Sequence, residues 1–189
     1  MPRSKKDEII ERCLRNDRVA QKQLYELCFE DLMRVCVRYF NQREEAVAVL
    51  NEGFLKILLS LKEYSLQGSF ENWTRTIVIR TCIDEYRKKK KYVEMIEPVD
   101  NYDSVEAEFK PVYNQVIENL SQSEVDKILE TLNGHERFVF SLYEFEGYTH
   151  DEIAAQLGVS IRSSKRYLQR AKLKLRDQLE KKIESKTEV

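Results

Sequence analysis

Apolar residues recur at steps of three and four along most of this chain, a spacing that predicts amphipathic helices and no sheet. Residues 7–15 open with Asp7 and Glu8 and carry Ile9, Ile10, Cys13 and Leu14. Residues 17–39 place Leu24, Leu27, Cys28, Leu32, Val35, Cys36 and Tyr39 on one stripe. The pattern repeats over 43–62 with Val47, Leu50, Phe54, Ile57, Leu58 and Leu61. After a polar break at 64–69, residues 70–91 run through Phe70, Trp73, Ile77, Cys82, Ile83 and Tyr86 into Arg87-Lys88-Lys89-Lys90-Lys91. A helical domain over 1–92 is expected.

The character changes at 93–120, where Pro98, Pro111 and repeated acids with scattered aromatics predict an acidic linker. A second helical domain is expected over 121–189. Ser123 and Asp126 are spaced to cap a helix over Val125, Ile128, Leu129 and Leu132, and Asn133-Gly134 is expected to stop it. His135 to Phe145 forms the next helix, with Phe138, Val139, Leu142 and Tyr143 apolar, and Glu146-Gly147 ends it.

The clearest motif follows. Thr149 and Glu152 have the spacing of a reciprocal helix cap, and Ile153, Ala154 and Leu157 form an inner stripe. Gly158 supplies a left-handed turn, Val159 plugs the corner and Ser160 caps another helix. That helix carries Arg162, Ser163, Lys165, Arg166, Gln169 and Arg170 outward. A tight turn, a packed inner face and an outer face of hydrogen-bonding side chains are what a DNA recognition helix requires. Ser164 occupies a place where an aliphatic is usually buried, which is expected to loosen the motif.

Composition refines this picture. With 5 glycines and 3 prolines in 189 residues and 34% charged side chains, the chain disfavours all-β and glycine-loop nucleotide folds. No apolar run approaches the roughly 18–20 residues that span a bilayer. The start, MPRSKKDEII, lacks the apolar core of a signal peptide, so a cytoplasmic protein without membrane insertion is expected. The net charge of −1 hides a strong segregation. Residues 1–92 carry 19 basic and 14 acidic side chains, a net of +5, and residues 160–189 carry 10 and 4, a net of +6. Between them, 93–120 and 121–159 are each −6. Two cationic zones, each suited to phosphates, are thus separated by acidic stretches.

Cys13, Cys28, Cys36 and Cys82 show no zinc-like spacing and read as small buried hydrophobes. His135 and His150 stand in no metal-binding motif, and no clustered carboxylates or nucleophile–base pair suggests an enzyme. No catalytic residue, metal or cofactor is expected.

Two stretches together resemble the sigma factors of bacterial RNA polymerase, in the extracytoplasmic-function class. Leu132-Asn-Gly-His-Glu-Arg137, Glu152-Ile-Ala-Ala-Gln-Leu-Gly158 and Lys165-x-x-Leu168-x-Arg170-Ala171 are similar to the family's domain for the minus-thirty-five element. Leu50-Asn51-Glu52-Gly53-Phe54 is similar to the segment gripping the clamp helices of the polymerase β′ subunit. Gly68-Ser69-Phe70-x-x-Trp73, Ile77 and Asp84-x-x-Arg87 with its basic tail resemble the loop and helix for the minus-ten element.

The resemblance implies polymerase contact through Asn51, Glu52 and Phe54. It implies downstream-element contact through Ser65, Gln67, Ser69, Arg80, Arg87, Lys88, Lys89, Lys90 and Lys91, and upstream-element contact through the six residues of the recognition helix. Core RNA polymerase (β′ clamp helices and β flap), promoter DNA and an anti-sigma factor are the implied partners. Ala48, Arg80, Asn133 and Ser163-Ser164 depart from the family's usual residues. Phe70 and Trp73 invite a base-stacking role, but their spacing with Ile77 assigns them to the core. A stand-alone regulator binding DNA through 149–176 is the rival reading, and the basic zone at 80–91 and the motif around Glu52 argue against it.

Overall fold

The computed structural model describes residues 4–64, 68–96, 127 and 129–187. It forms two compact units, Met1–Tyr86 and Arg87–Val189. All regular structure among the described residues is helical.

In the first unit, α1 (Lys5–Leu14) begins at Ser4, whose hydroxyl accepts the Asp7 N–H while the Asp7 carboxylate accepts the Ser4 N–H. These are two of the four amide donors that a helix start otherwise leaves unpaired. Asn16, in the left-handed conformation at φ 61°, turns the chain into α2 (Arg18–Val37). Asp17 caps α2 by accepting the Val19 and Ala20 N–H groups, and its carboxylate also takes the Arg12 guanidinium at 2.7 Å. The helix α3 (Arg43–Ser60) tightens into a 3-10 turn at Leu61–Glu63, and α4 (Phe70–Ile96) follows. Ser69 caps α4, its Oγ accepting the Asn72 N–H at 3.2 Å.

Ile9, Ile10, Leu24, Val35, Cys36, Leu50, Ile57, Val78, Cys82 and Ile83 fill the core between these helices. At Gly53 α3 packs tightly on α4, since a Cβ there would lie 3.0 Å from Val78 Cγ2. One ion pair joins the two ends of the unit. Lys6 on α1 reaches Glu71 on α4 at 2.6 Å, and with the Glu71 and Ser69 donors it holds the Glu71 carboxyl at a pKa of about 2.

Several expectations for this unit are corrected. Leu27 is 58% exposed rather than part of the buried stripe, because α2 turns a broader apolar face than its neighbours cover. Val47, Leu58 and Ile77 are only half-buried, their places in the core being taken by Ala46, Val49, Val78 and Ile79. Phe70 is core as expected, whereas Trp73 is half-buried, with Tyr64 5.3 Å and Phe70 5.8 Å from its ring. The four cysteines are free thiols; Cys13, Cys36 and Cys82 are buried and Cys28 half-buried.

In the second unit, α5 (Gly134–Phe140) runs into a π-helical turn at Ser141–Phe145, then α6 (His150–Leu157) and α7 (Ile161–Thr187) follow. The expected cap of the preceding helix at Ser123 and Asp126 lies outside the described residues, while Leu129 and Leu132 are buried. Asn133 does more than stop that helix. Its side chain accepts the Glu136 N–H at 2.9 Å while Glu136 accepts the Asn133 N–H, so it starts α5. Glu136, 2% exposed, is matched by Lys174 of α7 at 2.7 Å, and buried Arg137 donates to the Leu129 carbonyl. The single helix expected over 135–145 is interrupted by the π turn, which leaves Tyr143 36% exposed while Leu142 stays buried.

At Gly53 the crossing of α3 and α4 has no room for a branched side chain. Gly53→Val is expected to lower stability by about 2 kcal/mol through overpacking against Val78. Urea unfolding of the full chain, followed by Trp73 fluorescence, checks this.

Candidate nucleic-acid interface

The helix-turn-helix forms as its residues predict. Thr149 Oγ1 accepts the Glu152 N–H at 3.3 Å, and Glu152 accepts the Thr149 N–H at 2.8 Å. The Thr149 N–H and then the Thr149 hydroxyl, both donating to it, hold the Glu152 carboxyl below its ordinary pKa. Ile153, Ala154 and Leu157 are buried. Gly158 adopts φ 63° and ψ 42°, a left-handed turn in which a Cβ would be strained. Val159 is half-buried at the corner, and Ser160 accepts the Ser163 N–H at 2.9 Å to start α7.

Among the described side chains of α7 the buried ones are Ser164, Leu168, Ala171 and Leu175, a stripe at steps of four, three and four packed on α5 and α6. The opposite stripe carries the predicted reading residues. Arg162 and Lys165 are exposed, and Arg166, Gln169 and Arg170 are half-buried. Arg166 lies over the Tyr167 ring at 5.6 Å, and Tyr167 stacks on His135 at 5.0 Å. Ser163 is engaged in the cap, its Oγ accepting from the Ser160 hydroxyl at 2.8 Å.

Ser164 takes the inner place where an aliphatic is usual. It is wholly buried, and its Oγ meets Nδ1 of His150 at 3.0 Å, so a hydrogen bond joins the first turn of α6 to α7 where an aliphatic contact was expected. The His150 ring stacks on Tyr143 at 4.8 Å. Lys172 lies over the other side of this cluster, 5.7 Å from the Tyr143 ring and paired with Glu144 at 2.6 Å. Burial, and then the charge of Lys165, push the His150 pKa below its ordinary value, against the opposing pull of Asp151.

The predicted downstream residues are distributed along α4, with Arg80 in the first unit and Arg87 to Lys90 in the second. Arg80, Arg87, Lys88 and Lys89 are exposed and Lys90 is half-buried. Ser69 is exposed, but its hydroxyl is committed to capping α4 and donates to Glu71 at 2.8 Å. Ser65, Gln67 and the Lys91 side chain lie outside the described residues.

Of the three residues expected to meet a polymerase, Asn51 is exposed with Oδ1 accepting from the Tyr25 hydroxyl at 2.8 Å. Glu52 is half-exposed and pairs with Lys56 at 3.1 Å. Phe54 is different. It is 7% exposed and packs edge-on to Tyr25 at 5.0 Å, so it supports the helix from inside. Sequence reasoning missed Leu55 and Leu59, which are 57% and 74% exposed and continue the Asn51 face at steps of four. The signal was present: Phe54-Leu-Lys-Ile-Leu-Leu59 holds more apolar residues than one inward stripe can use.

A second feature missed was a groove of about 750 Å³ between the start of α1, α2 and the start of α4. Lys5, Arg34, Arg38 and Arg75 line it beside Leu27 and Phe70.

Two family models match this chain. The model described as Sigma-70 region 2 covers residues 24–92, and that described as Sigma-70, region 4 covers residues 122–175. Together they span more than half of the sequence, in the order expected. The chain belongs to the sigma-70 family. Within it, the chain is of the extracytoplasmic-function class.

Among its relatives, the "ECF RNA polymerase sigma factor SigE" of Mycolicibacterium smegmatis is 27% identical over 149 residues, 78% of this chain. The aligned part is 57% of that relative's length. The "Ferric citrate uptake sigma factor FecI" of Escherichia coli is 28% identical, over 67% of this chain and 72% of its own. The "RNA polymerase sigma factor YlaC" of Bacillus subtilis is 27% identical, over 85% of this chain and 92% of its own. No helix among the described residues of this sigma factor is long and apolar enough to cross a membrane.

The His150–Ser164 bond yields a signed prediction. A histidine whose folded pKa lies below its unfolded value contributes stability that is full above about 6.5 and declines as pH falls through the folded value. Protection of the amides in α6 and α7, taken relative to the intrinsic exchange rate at each pH, is therefore expected to fall as pH drops from about 7.5 to about 5.5, and His150→Gln should flatten that dependence. Ser164→Ala strands a half-buried nitrogen and should cost about 1 kcal/mol, while His150→Leu combined with Ser164→Val should recover most of it.

Proposed function

We propose that the chain binds core RNA polymerase, recognises promoter DNA and assists strand opening to start transcription of a particular gene set, with no reaction of its own. The observation that carries this reading is the division of α7 into a wholly buried stripe and an opposite stripe of Arg162, Lys165, Arg166, Gln169 and Arg170. Arg and Gln there match the hydrogen-bonding edges of guanine and adenine in a major groove. The working division is 1–92 for polymerase docking and the downstream element, 93–120 as linker, and 121–189 for the upstream element.

Polymerase docking rests on the outer face of α3, with Asn51 and Glu52 joined by Leu55 and Leu59. Two aliphatic side chains this exposed next to polar ones suit the rim and centre of a protein interface better than open water. The β′ clamp helices are the partner for that face, and the β flap is the partner for the second domain. Lys88, Lys89, Lys90 and Lys91 hold duplex phosphates, a contact independent of sequence. Ser65, Gln67, Arg80 and Arg87 face the separated strand, and the groove lined by Arg34, Arg38 and Arg75 offers it a cationic, partly apolar path. An anti-sigma protein regulates the factor by covering these same faces.

Run-off transcription with purified core polymerase and a library of promoter templates tests the whole reading. Transcripts that require both chain and core are expected. Tight operator binding without core, and no transcript with it, would establish the stand-alone regulator instead. Within that assay Arg170→Ala should cost about 1–3 kcal/mol at one upstream position and relax the preference there. Lys89→Ala should weaken all templates alike and reduce the salt slope by about 0.9. Leu59→Glu should impair core binding while leaving the fold and both DNA faces intact, as judged by an unchanged circular dichroism spectrum and unchanged amide protection along α4 and α7.

A further inference from the structure

The described residues of the second unit leave two large apolar side chains in solvent, Tyr143 at 36% and Ile161 at 43%. Tyr143 is accounted for by its stacking on His150 and by Lys172. Ile161 is the first residue of α7, directly after the Ser160 cap. Its position along the helix lies between the buried stripe that begins at Ser164 and the reading stripe, with exposed Lys165 one turn on and exposed Arg162 beside it. An aliphatic at that place is held rigid by the helix, shaped by a branched Cβ, and surrounded by cations.

The opening turn of a recognition helix is the part that meets base edges. In the major groove the apolar group on a base edge is the C5-methyl of thymine. We propose that Ile161 is a specificity residue whose side chain packs on the methyl group of one thymine in the upstream promoter element. This rests on the reading that α7 enters the major groove there. It adds an apolar contact to a surface otherwise described by its hydrogen-bonding and charged groups. Arg162 and Lys165, on phosphates or neighbouring bases, would hold the helix close enough for the contact.

Replacing thymine by deoxyuridine removes that methyl and nothing else. Promoter templates from the run-off selection, each with one upstream thymine replaced, are bound by core polymerase carrying the full chain. At one position the replacement is expected to weaken binding about fourfold, the worth of one buried methyl-sized group. Ile161→Ala should lose about as much on the unmodified template and become indifferent to the replacement, whereas Ile161→Val should keep most of the penalty. Because Ile161 is exposed, the variants should fold as the parent does, checked by amide exchange in α7.

An undiminished deoxyuridine penalty in Ile161→Ala overturns the proposal. So does the absence of any sensitive thymine when base-pair swaps in the upstream element still matter, and that outcome leaves the broader reading standing. Binding indifferent to every upstream base pair would overturn the placement of α7 itself, and this inference with it.

Discussion

Burial of one stripe of α7 is the constraint from which the rest of the second unit follows. Ser164, Leu168, Ala171 and Leu175 are sealed against α5 and α6, which turns the opposite stripe away from that packing, Arg162 and Lys165 exposed and Arg166, Gln169 and Arg170 half-buried. Those side chains are basic or hydrogen-bonding. The same sealing requires the tight turn at Gly158 and the caps at Thr149 and Ser160, because helices that cross this closely leave no slack in the connection. One polar contact, Ser164 to His150, is built into the seal. A buried hydrogen bond has directional demands that an aliphatic contact lacks, and it fixes how α6 lies on α7.

The first unit uses the same economy with different residues. Gly53 brings α3 against α4 at Val78, which leaves α3 with its Asn51, Leu55 and Leu59 face turned away from the core. Phe54 and Tyr25 brace that helix from within, and the Tyr25 hydroxyl also fixes the Asn51 amide. On the proposed docking reading, groups already held in place reduce the ordering cost of binding.

Much of this was legible in the chain because helical periodicity and capping residues act locally. The Thr149–Glu152 box, the left-handed Gly158 and the limits of α2, α3 and α6 follow from neighbours three or four positions apart. What escaped depends on distant neighbours. Leu27 carries the same apolar signal as Leu24, and only the breadth of the packed face decides that one is sealed and the other lines a groove. Ser164 looked like a defect because its partner, His150, sits fourteen residues away on another helix. Asn133 with Gly134 reads as a stop, and only its bond to Glu136 shows it also starting α5. Phe54 and Leu55 carry the same apolar signal, and only packing against Tyr25 decides that the Phe54 ring is enclosed while Leu55 and Leu59 stay exposed.

The central claim is that two cationic helical faces of one sigma factor address two separate promoter segments when the chain is docked on polymerase. Site-specific photocross-linking tests it most directly, with a benzophenone amino acid in place of Lys165 in one sample and of Arg80 in another. Assembled with core polymerase on promoter DNA, the first is expected to label duplex at the upstream element and the second the non-template strand at the downstream element. Both positions labelling the same segment, or labelling that persists unchanged without core polymerase, would contradict it.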